Sequence, residues 1–239
     1  MALGDRRYMA QTQTQAGAAQ YDEGLRKYML GVYNYMTLAM AITGGVAFAA
    51  SQSPELIQAI FGTPLKWVVM LAPLGFVFFL SARIHKMSAS AAQITFWLFA
   101  AVMGLSLSTI FLAFTGMSIA KVFFITAGAF AGLSLVGYTT KKNLSGMGSF
   151  LFMGLIGLII AMVVNIFLAS PAMQFVISAV GVLIFAGLTA YDTQQIKNMY
   201  HEADVGEVAT KKSIMGALRL YLDFLNMFLF LLQLFGNRN

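Results

Sequence analysis

The sequence predicts an all-α integral membrane protein of seven transmembrane helices, six of them surrounding a central C-terminal seventh. Three observations lead there. Of 239 residues, 59% are hydrophobic and only 10% charged, far from the usage of soluble domains. The apolar residues gather in long runs separated by short polar joints, and about 20 apolar residues cross a ~30 Å hydrocarbon core. The last run, Leu220–Phe235, carries a carboxylate, Asp223, well inside it. An acid at mid-span costs at least ~2.5 kcal/mol when it faces lipid, so that helix is expected to face protein or water.

Residues 1–24 are polar and rich in Gln, Thr and Ala, and read as a mobile cytoplasmic tail. Residues 25–239 form a single membrane domain. Its first apolar run begins too late, and is too long, for a cleaved signal peptide. That run, Tyr28 to Ala50, ends in the turn-forming Ser51-Gln-Ser-Pro54. The second spans Leu65 to Ala82, with Pro73 predicting a kink because proline removes a backbone donor. The third runs from Ala91 to Phe114 and the fourth from Ile119 to Tyr138. The fifth, Phe150 to Leu168, meets the sixth, Met173 to Asp192 or a turn beyond, across Ala169-Ser170-Pro171, which predicts a tight hairpin. Residues 197–213 are the one long polar loop before the seventh span.

The chain has 15 Lys and Arg against nine Asp and Glu, a net charge of +6. Such an excess can suggest nucleic acid, but here the cations sit at span boundaries instead of along one face. Twelve lie in the tail, in the joints after spans two, four and six, and at Arg219; three, Lys66, Lys121 and Arg238, lie on the other side. Positive loops stay in the cytoplasm, which puts the N-terminus inside and the C-terminus outside. Cysteine is absent, excluding disulfides and thiolate metal sites. His85 and His201 share no metal spacing. The methionines read as space-filling, and Gly44-Gly45 and Gly154-x-x-Gly157 as close helix packing. Trp67, Tyr138 and Tyr200 fall where interfacial anchors are expected.

Seven of the nine acids lie in the tail, joints or span ends; Asp192 and Asp223 are the exceptions. Arg219, Asp223, Asn226 and Gln233 fall at i, i+4, i+7 and i+14, one stripe of a helix, interrupted by Phe230. The stripe is read as the face that the other helices surround. Spans six and seven run antiparallel, which can bring Asp192 and Asp223 together in the inner half of the bilayer. Two carboxylates a few Å apart in low dielectric resist double ionisation and titrate as a pair. They also make a weak calcium site, since calcium prefers 6–8 oxygen ligands. Arg83 and Arg219 are the candidate basic partners. In the bland alternative, Asp192 caps a helix end and Asp223 pairs with Arg219 one turn away.

Other functions weigh less. The seventh span holds no lysine for a retinal Schiff base. Tyr191-Asp192 matches the Tyr-Asp pair of intramembrane aspartyl proteases, but Leu220-Tyr221-Leu222 precedes Asp223 where those enzymes place Gly-x-Gly, and Pro-Ala-Leu is missing.

With Tyr191-Asp-Thr-Gln-Gln-Ile196 and Leu220-Tyr-Leu-Asp-Phe-Leu-Asn-Met-Phe228 taken together, residues 25–236 resemble the Bax inhibitor-1 family, and its bacterial members by their short loops. The resemblance implies six spans wrapped round a seventh. It also implies a pH-sensitive calcium leak, not an enzyme and without a cofactor, governed by an aspartate pair matching Asp192 and Asp223. An arginine of span two, matching Arg83, would be its gating partner. It further implies a bacterial inner membrane, with lipid, calcium and protons as partners. Eukaryotic relatives suppress cell death, and some bacterial ones bind a membrane-anchored protease. That makes a regulator of membrane-protein quality control or stress, acting through helix-mediated binding, the alternative. Gln233 stands where some relatives carry arginine, no acid lies between Trp67 and Ala82 to latch it, and the basic tail of animal relatives is missing.

Overall fold

The computed structural model describes the backbone of residues 2–239 and the side chains of residues 22–239. The tail assigned to 1–24 thus lies almost wholly outside the described side chains. The helices are α1 (Ala2–Ser51), α2 (Pro54–Phe61), α3 (Leu65–Arg83), α4 (Ala89–Leu107), α5 (Ile110–Ala113), α6 (Gly116–Thr139), α7 (Ser145–Leu168), α8 (Pro171–Asn198) and α9 (Glu207–Phe235). Seven segments among the described residues are long and apolar enough to cross a membrane. They match the seven predicted runs.

Side chains start several helices. Ser53 Oγ accepts from the Leu56 amide, Ser88 Oγ from Ala91, Thr115 Oγ1 from Ser118 and Ser170 Oγ from Met173. Each satisfies one of the amides that a helix N-terminus leaves orphaned. Three boundaries differ from the sequence reading. The Ser-Pro joint after span one opens a short amphipathic helix, α2. The third run breaks at Ser108-Thr109, where Ser108 Oγ bonds back to the Leu105 carbonyl, and α5 resumes for one turn. The long polar loop shrinks to 199–206, because residues 207–213 are the first turns of α9. There Lys212 bonds the Met199 carbonyl and pairs with Asp204, closing the loop onto the helix. α3 continues through Pro73 without a break.

The hairpin between α7 and α8 is as tight as predicted. Ala169 adopts a left-handed backbone, φ 47°, and Asn165 holds the turn by accepting from the Ser170 amide and donating to Gln174 Oε1.

α9 is the most buried of the seven spans. It packs against α8, α1, α6 and α4, with a thinner contact to α3. α7 is the least buried and rests on α8, so five spans hold the seventh directly and α7 adds an outer layer. Small residues set the closest crossings. A Cβ on Gly137 of α6 would lie 2.2 Å from the Ala190 carbonyl oxygen of α8, and a backbone atom cannot swing aside. Gly137→Ala is expected to cost about 1–3 kcal/mol by overpacking, read as a lower unfolding temperature in detergent.

The last residues do not hang free. The Asn237 amide donates to Ser118 Oγ, the Thr115 amide to the Asn237 carbonyl, and the Asn239 amide to the Ala113 carbonyl. Arg238 lies over the Phe114 ring, 5.8 Å from its centre. This short strap ties the end of α9 to the joint between α5 and α6.

Candidate functional site

The site lies where the Tyr191–Ile196 segment of α8 crosses Leu220–Phe228 of α9. Around Asp192 the motif residues have separate tasks. Thr193 Oγ1 donates to Ser134 Oγ of α6 at 3.3 Å. The Gln194 amide donates to the Lys142 carbonyl and accepts from the Leu144 amide, both at 2.8 Å. Lys197 Nζ donates to the Tyr138 carbonyl at 2.7 Å. Tyr191 lies against α7, where Gly148 leaves room for its ring. Four neighbours thus hold this end of α8 in rotation, and Asp192 is left to face α9.

On α9 the register is fixed from the opposite side. Tyr221 is fully buried, edge-on to Phe99 and Phe96 at 5.2 and 6.4 Å. Thr43 Oγ1 lies 2.7 Å from the Tyr221 hydroxyl and donates to the Ala100 carbonyl at 2.8 Å. Since threonine has one hydroxyl proton, Tyr221 is the donor in their bond. Tyr221→Phe leaves Thr43 with one bond fewer and is expected to destabilise the fold by about 1 kcal/mol, again measured by unfolding in detergent. Nothing in the spacing of Thr43 marked it as a partner.

Asp223 is 4% exposed and Asp192 8%. The two side chains line one cavity together with Arg219. Arg219 Nη1 lies 3.8 Å from Asp192 Oδ1, and Asp223 Oδ2 is buried without a hydrogen-bond partner. The pair anticipated from the sequence is therefore brought together. Arg219 joins it through Asp192, not through the acid one turn away on its own helix. Arg83 stands apart, exposed at the end of α3.

The polar stripe of α9 is covered only in part: Asp223 and the interrupting Phe230 are buried, as the sequence predicts, and the other members are not. Arg219 and Gln233 are exposed and Asn226 half-buried, whereas the remaining faces of α9 are largely buried. The stripe borders a crevice that remains because α7 leans on α8 and not on α9. Beside the aspartates a cavity of about 700 Å³ is lined by Tyr191, Asp192, Arg219, Asp223, Asn226 and apolar residues of α7. Towards the end of α9 a second cavity, about 480 Å³, is lined by Asn165, Gln174, Ser178, Gln233 and Arg238. Between them Phe230 stacks on Phe185, ring centres 6.0 Å apart. Gly181 makes room for Phe230, because a Cβ there would lie 2.6 Å from its ring.

Among the described residues, no three His, Cys, Asp or Glu side chains come together to hold a metal. Two carboxylates fall short of the 6–8 oxygens of a resident calcium site.

The family described as inhibitor of apoptosis-promoting Bax1 matches residues 25–239. The chain belongs to the Bax inhibitor-1 family. An uncharacterized protein of Rickettsia prowazekii is 48% identical over 218 residues, 91% of this chain and 92% of its own. Inner membrane protein YbhL of Escherichia coli is 46% identical over 218 residues, 90% of this chain and 93% of its own. An uncharacterized membrane protein of Streptococcus pyogenes is 33% identical over 223 residues, covering 92% and 96%. This Bax inhibitor-1 protein is thus a multi-pass membrane protein with bacterial inner-membrane relatives.

Proposed function

We propose that this protein is a pH-sensitive calcium leak, with the crevice of α7, α8 and α9 as its path and the Asp192–Asp223 pair as its proton-controlled element. The observation that carries the reading is the pair itself: two buried carboxyls, one oxygen without a partner, lining one otherwise largely apolar cavity. With one shared proton the pair holds a single negative charge, which Arg219 offsets, and the helices close over it. Loss of that proton leaves two negative charges in a low dielectric. They either repel, loosening α8 from α9, or take up a passing cation, with Asn226 close by to add an oxygen.

Calcium is cargo in this scheme, bound in passing by Asp192 and Asp223. Arg83 has no part in it, because Arg219 already supplies the cation at the pair. The distribution of Lys and Arg orients the molecule with the N-terminus and the aspartate pair on the cytoplasmic side and the C-terminal strap outside. The reading as a non-enzyme rests on the Leu-Tyr-Leu that precedes Asp223.

Calcium entry into dye-loaded proteoliposomes tests the proposal. Flux is expected to rise with pH as the pair loses its proton, by up to about tenfold per pH unit for a single controlling proton. No flux at any pH, from folded protein in sealed vesicles, overturns the leak. Recovery of a membrane protease with the purified protein would then favour a regulator of membrane-protein quality control.

A further inference from the structure

We propose that the groove between α1 and α6 binds one acyl chain of an anionic glycerophospholipid, with Arg26 taking the phosphate. α1 and α6 both pack on α9 but barely meet each other. The space between them is a groove of about 670 Å³ floored by Phe224, within the ~300–1,000 Å³ of ordinary ligand sites. Its walls are almost entirely apolar. Met29, Met36 and Met40 line one side, adaptable side chains that fit a flexible chain, and Ala127 and Ala131 keep the other side wide. A void so lined would forfeit dispersion contacts along its whole length, and water at this depth would find few polar partners. Ser134, one of the few polar wall residues, already accepts a bond from Thr193.

The ends of the groove select the occupant. Arg26 lines one end, exposed and without an ion pair among the described residues. Opposite it stands Tyr138, which carries Lys197 on its carbonyl and over its ring, 5.1 Å from the centre. Among the described residues, Arg26 is thus the one cation lining the groove, at the mouth where a lipid phosphate would lie, and Lys197 adds positive charge one residue further off, behind Tyr138. Arg26 and Met40 are about 21 Å apart along α1, enough for a chain crossing the ~15 Å of one leaflet. Beyond Met40 the space narrows to about 90 Å³, which closes the groove to a chain from the other leaflet.

This inference rests on the packing of α1, α6 and α9 and not on the leak. Its test is native mass spectrometry of delipidated protein incubated with phosphatidylglycerol or phosphatidylcholine of identical chains. The wild type is expected to retain one phosphatidylglycerol in preference to phosphatidylcholine. Arg26→Gln should reduce that retention about fivefold, the effect of one cation near a headgroup. Ala131→Phe should abolish retention of either lipid, with Ala127→Leu as the substitute if that variant does not fold. Ile166→Phe, at an exposed position of α7, should behave as wild type. Equal retention of the two lipids by the wild type, or phosphatidylglycerol retention unchanged in Arg26→Gln or in the folded groove-filling variant, overturns the proposal.

Discussion

Asp223→Asn is expected to flatten the pH profile of calcium flux and hold it at the level the wild type shows in acid. Asparagine has the shape of a protonated aspartate, so the variant imitates the closed pair at every pH. Asp192 then keeps one charge, 3.8 Å from Arg219, and no second charge can form beside it. Because the buried Asp223 Oδ2 already has no partner, the amide adds no larger burden of desolvation than the acid it replaces. In proteoliposomes at matched protein density, flux should change less than about twofold across a range where the wild type is expected to change about tenfold per pH unit. A steep profile surviving in Asp223→Asn would refute control by the pair, even if the leak itself were real.

Phe230→Ala is expected to raise flux at acid pH, where the proposed mechanism closes the wild type, while leaving the remaining pH dependence in place. Phe230 and Phe185 stack between the two cavities of the crevice and would be the apolar barrier on the proposed path. An ion passing them must shed water without gaining ligands. Truncation removes one ring of the stack, and Gly181 opposite contributes no side chain to fill the gap. A rise of about tenfold would correspond to a barrier lower by ~1.4 kcal/mol, modest for the loss of an aromatic constriction. Large-to-small core changes cost about 3–5 kcal/mol for phenylalanine, so Phe230→Leu, which keeps most of the volume, serves as the milder variant. Folded Phe230→Ala with wild-type flux at every pH would remove the crevice as the path.

Much of this molecule was legible in its sequence because hydrocarbon imposes a local rule. Every backbone polar group must be satisfied within the span, so span number and approximate limits follow from apolar length alone. The same rule singled out Asp192 and Asp223, since buried acids stand out where charge is costly. Gly181 and Thr43 gave no comparable signal. A glycine or a threonine is ordinary in a membrane helix, and its meaning depends on the partner across the interface. The fate of Gly-Asn-Arg-Asn after α9 was equally hidden, because its strap consists mostly of backbone bonds to the joint between α5 and α6.

Which face of α9 stays open was decided by tertiary structure alone. In water, a polar stripe beside apolar faces tells a helix which way to turn. In lipid, the tails are as apolar as leucine, so hydropathy does not separate a face against protein from a face against the bilayer. The stripe of Arg219, Asp223, Asn226 and Gln233 therefore reads as the covered side, whereas only Asp223 of the four is buried and the others border the crevice left by α7. The choice of Arg219 over Arg83 has the same origin. Sequence placed both arginines near one end of the bundle, and only the packing of α8 on α9 decides which of them reaches Asp192.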